Sequence, residues 1–281
     1  MSAKRSILSR FEDLPPRLQQ AARYLIDNPN DIVTHSMRGL AQKSGILPAT
    51  LSRLAVQLGY SGWHDLKKAF VSDLGLAGKH YGERAKNLAK RQSGSSDLVS
   101  EVFSTCQSNL QQTQGYLAER LEPVARQLQA APTVHVVGFR ASFAIAYSFF
   151  YGYRLFRNSV ELIDSHCAGL ELHLRKIQKD DAVLVVSFAP YSKECLEVIE
   201  AARKAQARVL VLTDSEASPL ALKADDCLLF AVESASFFPS ISAGIVVVEA
   251  LLGTLVALSK QDVVKPLNQA EQHLVKSGAY I

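Results

Sequence analysis

Three hydroxyls, Ser142, Ser187 and Ser192, stand in short polar loops that each follow a run of Val and Leu in the second half of the chain. The loops read GFRAS (residues 138–142) and SFAPYSKE (187–194), and a third, TDSEASPLA, covers 213–221. Hydroxyls beside free backbone N–H groups at a helix start can cradle an anion. Gly138, Arg140 and Glu194 belong to the same loops and complete the candidate ligand-binding set. Serine is also the commonest helix cap, so residue type alone leaves local capping open beside ligand binding. Catalysis would need a positioned general base, typically Glu or His. Glu249, inside FPSISAGIVVVEALLGTLVAL, is the acid in the most apolar surroundings; a base, a ligand contact and a subunit contact all remain open for it. His135 lies within an apolar run and reads as a hydrogen-bonded core histidine, while His166 and His173 read as helix decoration. The four cysteines, Cys106, Cys167, Cys195 and Cys227, are far apart without a C-x-x-C pair, and no His/Cys/Asp cluster has metal spacing. Neither a metal, a cofactor, a disulfide framework nor an enzymatic activity is expected.

A second constellation occupies the first half. The segment MRGLAQKSGILPATLSRLAVQL, residues 37–58, places small Ala41 where two helices would cross and Gly45 at a turn four residues later. Leu51, Leu54, Ala55 and Leu58 follow the i, i+3, i+4, i+7 spacing of one buried helix face. Pro48 suits the first turn of that helix, where its missing N–H removes no intrahelical bond. Ala49, Thr50, Ser52, Arg53 and Gln57 then fall on the outer face, near the end of a helix-turn-helix that meets base edges in the major groove. Thr50 and Ser52 can bond bases or phosphates, and Arg53 can fork onto guanine or pin a phosphate. Arg38, Lys43, Lys67 and Lys68 are candidate phosphate contacts. Double-stranded DNA is the partner this pattern fits.

The elements that must hold these residues divide the chain. Residues 1–76 read as short helices with no strand pattern: an all-α helix-turn-helix domain. Residues 77–96 are a polar, basic linker ending in a Gly/Ser cluster. From 97 to 130 an amphipathic helical lead-in returns. Apolar runs then follow at 134–137, 160–163, 182–187, 208–213 and 227–232, separated by helical stretches. Continuous Val/Leu runs imply strands buried on both faces, and the helices between them imply right-handed crossovers. The second domain, 97–281, is expected to be α/β, with a roughly five-stranded parallel sheet flanked by helices.

Charge divides the same way. Residues 1–92 carry 15 Lys+Arg against 7 Asp+Glu, a balance of +8, whereas the rest of the chain stands at −4. A basic front end on a mildly acidic body fits a polyanion binder fused to another module. With 48% apolar and 21% charged residues in 281, the chain is neither disordered nor fibrous. The first residues lack the apolar core of a secretory signal. The apolar stretch at 243–258 is shorter than the ~20 residues of a membrane span and contains Glu249, so a core or dimer helix is expected. The reading is a soluble, cytoplasmic protein without a membrane partner.

At this level the sequence resembles the RpiR-type family of bacterial transcriptional regulators over almost its whole length. LPPRLQQAARYLIDNPNDIV looks like the family's opening helix and Asn-Pro turn, and LAQKSGILPATLSRLAVQLGYSGWHDLKKAF like its helix-turn-helix. VVGFRAS and the stretch VLVVSFAPYSKECLEVIEAARKAQARVLVLTDSEASPLALKADDCL look like the core of the sugar-isomerase (SIS) domain that these regulators carry. The resemblance implies an operator-binding protein, a homodimer or larger oligomer, whose SIS-like domain senses a phosphorylated sugar or related small anion. Four positions, in three places, depart from the pattern. Leu47 stands where a capping serine usually precedes the recognition helix. Ala189-Pro190 replaces an inner Ser-Gly of the third-strand loop, in which Ser187, Ser192 and Glu194 match. Arg140 stands where the first loop usually has glycine. The rival readings are a sugar-phosphate isomerase-type enzyme and a constitutive DNA-binding protein with a degenerate pocket.

Overall fold

The computed structural model describes residues 3–73, 81–91, 95–164 and 169–279. The chain forms two compact units, Met1–Gly78 and Lys79–Ile281.

The described residues of the first unit form helices joined by short turns: α1 (Ala3–Arg10), α2 (Pro16–Asp27), α3 (Pro29–Thr34), α4 (Met37–Ser44), α5 (Pro48–Gln57) and α6 (Trp63–Asp73). Proline opens α2, α3 and α5, where the first N–H has no intrahelical partner in any case. One core gathers Ile7, Leu25, Ile32, Leu40, Leu66 and Phe70 around Leu51, Leu54, Ala55 and Leu58, the four residues whose spacing marked the inner face of α5.

The second unit begins with α7 (Tyr81–Ala89), α8 (Ser95–Leu117) and α9 (Leu121–Ala130). Part of the expected linker is therefore helix: α7 buries none of its side chains, yet its Tyr81 ring lies 5.1 Å from that of Phe238. Linker residues 77–80 and 92–94 lie outside the described residues, as do His166 and Cys167. Then β1 (Val134–Gly138), α10 (Ser142–Arg154), β2 (Val160–Ile163), α11 (Leu170–Leu174), β3 (Ala182–Val186), α12 (Lys193–Lys204), β4 (Arg208–Thr213) and β5 (Asp226–Leu229) alternate, and α13 (Ser242–Ser259) and α14 (Val264–Lys276) close the chain. Every strand pairing is parallel, in the order β2-β1-β3-β4-β5. One face of the sheet packs under α9, α10 and α13 and the other against α12, so β1, β3 and most of β4 are buried on both sides.

The strand order reverses between β1 and β3, and there Gly138 lies opposite Val186 in register. The loops after these two strands therefore leave the sheet side by side, at the position where open parallel sheets hold ligands. At the other end of these two strands, His135 Nε2 lies 3.1 Å from Asp181 Oδ2 in the core. The Asp181 carboxylate also accepts the backbone N–H groups of Thr133 (3.1 Å) and Gln178 (2.8 Å), tying the starts of β1 and β3 together. Arg157 closes the end of α9 by donating to the carbonyls of Leu128 (2.8 Å) and Gln129 (3.1 Å), which have no partner within that helix.

Helix α13 is long and apolar enough to cross a bilayer by length and composition alone. Its inner face, Ala243, Val247, Val248, Leu251 and Leu255, is instead buried in the core under the sheet. Glu249 is exposed on the outer face, so the cost of burying an acid does not arise within one chain.

Candidate functional site

In the first unit, Ser36 opens α4 by accepting the Gly39 N–H on its hydroxyl at 3.1 Å. Gly45 ends that helix at φ 71°, a left-handed conformation natural to glycine, and its N–H reaches Ala41 O at 2.9 Å. The chain then enters α5 through Leu47, which has no side-chain oxygen to cap the helix and is 67% exposed. With Leu51, Leu54 and Ala55 buried, α5 presents Ala49, Arg53 and Gln57 outward, while Pro48 and Thr50 are half-buried at its start. Val56 is also exposed and adds an apolar side chain to the surface of α5.

Ser52 differs from expectation. It is half-buried, and its hydroxyl lies 3.5 Å from Met37 Sδ on the neighbouring helix, so it serves the α4–α5 contact. Arg38 and Lys68 are exposed, as phosphate contacts require. Lys43 is exposed too, but its ammonium pairs with Asp31 Oδ1 at 2.6 Å, and Tyr24 donates to the other oxygen at 2.7 Å. Burial pushes the Asp31 pKa up, but the bonds from Lys43 and Tyr24 outweigh it and hold the carboxyl below its usual value. A phosphate would have to compete for Lys43. Lys67 donates to His35 O at 2.9 Å, and burial lowers its pKa; it ties α6 to the turn before α4 and is not a free phosphate contact.

In the second unit, the loop from β1 to α10 turns at Arg140, whose φ of 55° lies in the left-handed region. This explains why glycine is the expected residue there: a side chain at such a φ costs about 1–2 kcal/mol. Gly138 has a different reason. A Cβ on it would lie 2.6 Å from Ala146 Cβ and 2.7 Å from Ser142 O, so it lets α10 approach the end of β1 and is a packing residue. Ser142 is buried at the first turn of α10.

The Arg140 guanidinium reaches across to the loop after β3. It forks onto Glu194, with N–H···O distances of 2.8 and 2.7 Å, and donates to Ser192 Oγ at 3.1 Å. Hydrogen bonding from Arg140, with further help from its own backbone N–H, lowers the Glu194 pKa to about 2. Ser192 in turn gives its N–H to Ser187 Oγ at 3.3 Å. Four of the six expected residues, Arg140, Ser187, Ser192 and Glu194, thus form one hydrogen-bonded chain; Ser142 and Gly138 flank it.

Two residues that sequence reasoning missed hold the loop from behind. Asp214, just after β4, accepts the Tyr191 hydroxyl at 2.8 Å and the Ala189 N–H at 3.3 Å. Burial first, then the Asp214 carboxylate, pushes the Tyr191 hydroxyl pKa far up. The peptide bond between Ala189 and Pro190 is cis. Cys195 is fully buried, and that burial pushes its thiol up to about 12. Among the described residues no group of three His, Cys, Asp or Glu could hold a metal ion.

Comparison with known proteins finds one family model in each unit. The helix-turn-helix domain of the rpiR family matches residues 1–75, and the SIS domain matches residues 127–253. An uncharacterized HTH-type transcriptional regulator in the aarA 3′ region of Providencia stuartii is 24% identical across 97% of this chain and 96% of its own length. The HTH-type transcriptional regulator HexR of Pseudomonas aeruginosa is 25% identical across 79% of this chain and 76% of its own. Among solved structures, the Vibrio vulnificus NanR protein complexed with ManNAc-6P superposes with a TM-score of 0.59 at 20% identity, covering 98% of both chains. The sugar isomerase domain of an RpiR transcription factor from Sphaerobacter thermophilus gives a TM-score of 0.59 at 24% identity, over 62% of this chain and 98% of that one. At these identities the structural likeness establishes the fold.

Proposed function

The chain belongs to the RpiR-type helix-turn-helix regulators that carry a SIS domain, and from that premise we propose that it is a transcriptional regulator whose operator binding responds to a small anionic metabolite. The observation that carries the reading is the α4–Gly45–α5 unit, whose second helix is anchored by Leu51, Leu54 and Ala55 and leaves Ala49, Arg53 and Gln57 facing outward on a basic domain. Arg53, Gln57 and Thr50 are the base-reading set, with Arg38 and Lys68 on phosphates.

The loops after β1 and β3 are the effector site, with Arg140, Ser187, Ser192 and Glu194 as its polar wall. The NanR complex with ManNAc-6P supports an effector of the phosphosugar or related-anion class. No turnover is part of this reading: the curated relatives are named transcriptional regulators, and Glu249 faces outward from α13. The protein acts in the cytoplasm as a homodimer, because operator readers present two recognition helices about one DNA turn apart.

The test is selection of bound duplexes from a random DNA pool by the full chain, followed by binding curves in graded salt with and without metabolites. A recurring paired half-site, salt-sensitive binding and a metabolite-dependent change in affinity are expected. Uniform binding to all sequences would reject an operator reader, and an affinity that no sugar phosphate or sugar acid changes would reject the sensor.

A further inference from the structure

The leading end of α5 carries a specificity of its own, and the inference rests on reading α4–Gly45–α5 as the operator-binding unit. We propose that Leu47, with Ala49 beside it, recognises the methyl group of a thymine in the major groove. Leu47 is 67% exposed, and Ala49 is exposed as well. Pro48, half-buried between them, has no N–H. Residues 47–49 therefore bring no side-chain donor or acceptor to the end of the helix that meets base edges. Their place is fixed. Ile46, just before, is buried in the core, and Leu47 O accepts the N–H groups of Thr50 at 2.9 Å and Leu51 at 3.3 Å.

A single exposed leucine is ordinary on a protein surface. Leu47, however, stands where it forgoes a cap: it makes no side-chain hydrogen bond to its helix, whereas Ser36 at the same place on α4 takes the Gly39 N–H. An apolar side chain at this position has one match among the base edges. In the major groove guanine, adenine and cytosine offer hydrogen-bonding atoms, and thymine alone also offers a methyl group. Against any of the first three, Leu47 strips water from a donor or acceptor and returns no bond, which disfavours those bases. Against thymine it buries one apolar group on another. Arg53, one turn beyond Ala49 on the same outer face, is left for a neighbouring base.

The test uses duplexes that the full chain selects from the random pool, resynthesised with each thymine in turn replaced by deoxyuridine, which lacks only the methyl group. Binding curves at fixed salt are recorded for the wild type and for Leu47→Ser. For the wild type, removing the methyl from one thymine in each half-site is expected to weaken binding about three- to fivefold, the scale of one buried methyl group. In Leu47→Ser that penalty disappears, while those at other thymines stay. The variant gains a cap and so keeps its fold. Should it bind too weakly to titrate, Leu47→Ala supports the same comparison. An operator in which no thymine methyl matters overturns the proposal, as does a penalty equally large in the variants. A pool that returns no preferred sequence removes the operator reading and this assignment together. A uracil series without effect on a selected operator removes the assignment alone.

Discussion

At Leu47 the chain enters its recognition helix without a cap, and the neighbouring helix shows the contrast, with the Ser36 hydroxyl taking the Gly39 N–H. Leu47→Ser supplies the missing acceptor and removes an exposed apolar side chain; a gain of about 1 kcal/mol in the stability of the helical unit is expected, measured by denaturant unfolding. Arg53, exposed on the outer face, is proposed to act on DNA and not on the fold. Arg53→Ala should cost about 1–3 kcal/mol of operator affinity and relax preference at one base position. An equal loss on every sequence would assign it to a phosphate. At Glu194 the sign of the pH effect follows from the shift itself. The folded state lowers its pKa from 4.5 to about 2, so its contribution is present above the unfolded pKa and is lost as the pH falls toward 2. The stability difference between wild type and Glu194→Gln should therefore be constant near neutrality and shrink between about pH 4.5 and 2, as read from unfolding curves across that range.

Among the elements, β1 and β3 depend on one buried carboxylate. Asp181 receives His135 Nε2 and two backbone N–H groups, so Asp181→Ala strands three polar groups at once. A loss of about 3–5 kcal/mol is expected in thermal or chemical unfolding of the second unit. The strands themselves were legible: VELI at 160–163 and RVLVLT at 208–213 coincide with β2 and β4, and in β4 burial on both faces leaves an apolar run broken only by the exposed Arg208 at its start and Thr213 at its end. Gly45 and the inner face of α5 were legible for a similar reason, since a turn and a helix face are set by neighbours within a few residues. The Arg140–Glu194 fork was not. Its partners are 54 residues apart and meet because β1 and β3 are adjacent, which no local pattern records. The tie from Lys67 to His35 O and the turn of Ser52 toward Met37 escaped notice likewise, since a lysine or serine looks the same in sequence whichever way it points.

Taken whole, the second unit leaves an apolar face uncovered. On α10, Phe143, Tyr147 and Tyr151 stack in a row with centroids 5.7 and 6.3 Å apart, and Tyr147 and Tyr151 are exposed. On α13, Val246 is exposed beside Glu249. In the homodimer proposed above, this face is the expected contact between the two copies. Sedimentation should give a dimer for the wild type and a shift toward monomer for Val246→Glu, with the helical content unchanged by circular dichroism; a dimer indifferent to that change would place the contact elsewhere.

On the proposed reading of these loops as the effector site, the fork between Arg140 and Glu194 also bears on how much metabolite the cell must hold before the protein answers. Glu194 is tethered to the same chain as its partner, so it competes at a fixed, high local concentration that no dilution lowers. A metabolite that enters by exchange must outnumber this resident competitor, which lifts the response threshold well above the affinity of the bare guanidinium site. Such a sensor stays silent at trace levels and reports abundance, and a single side chain sets where that threshold falls.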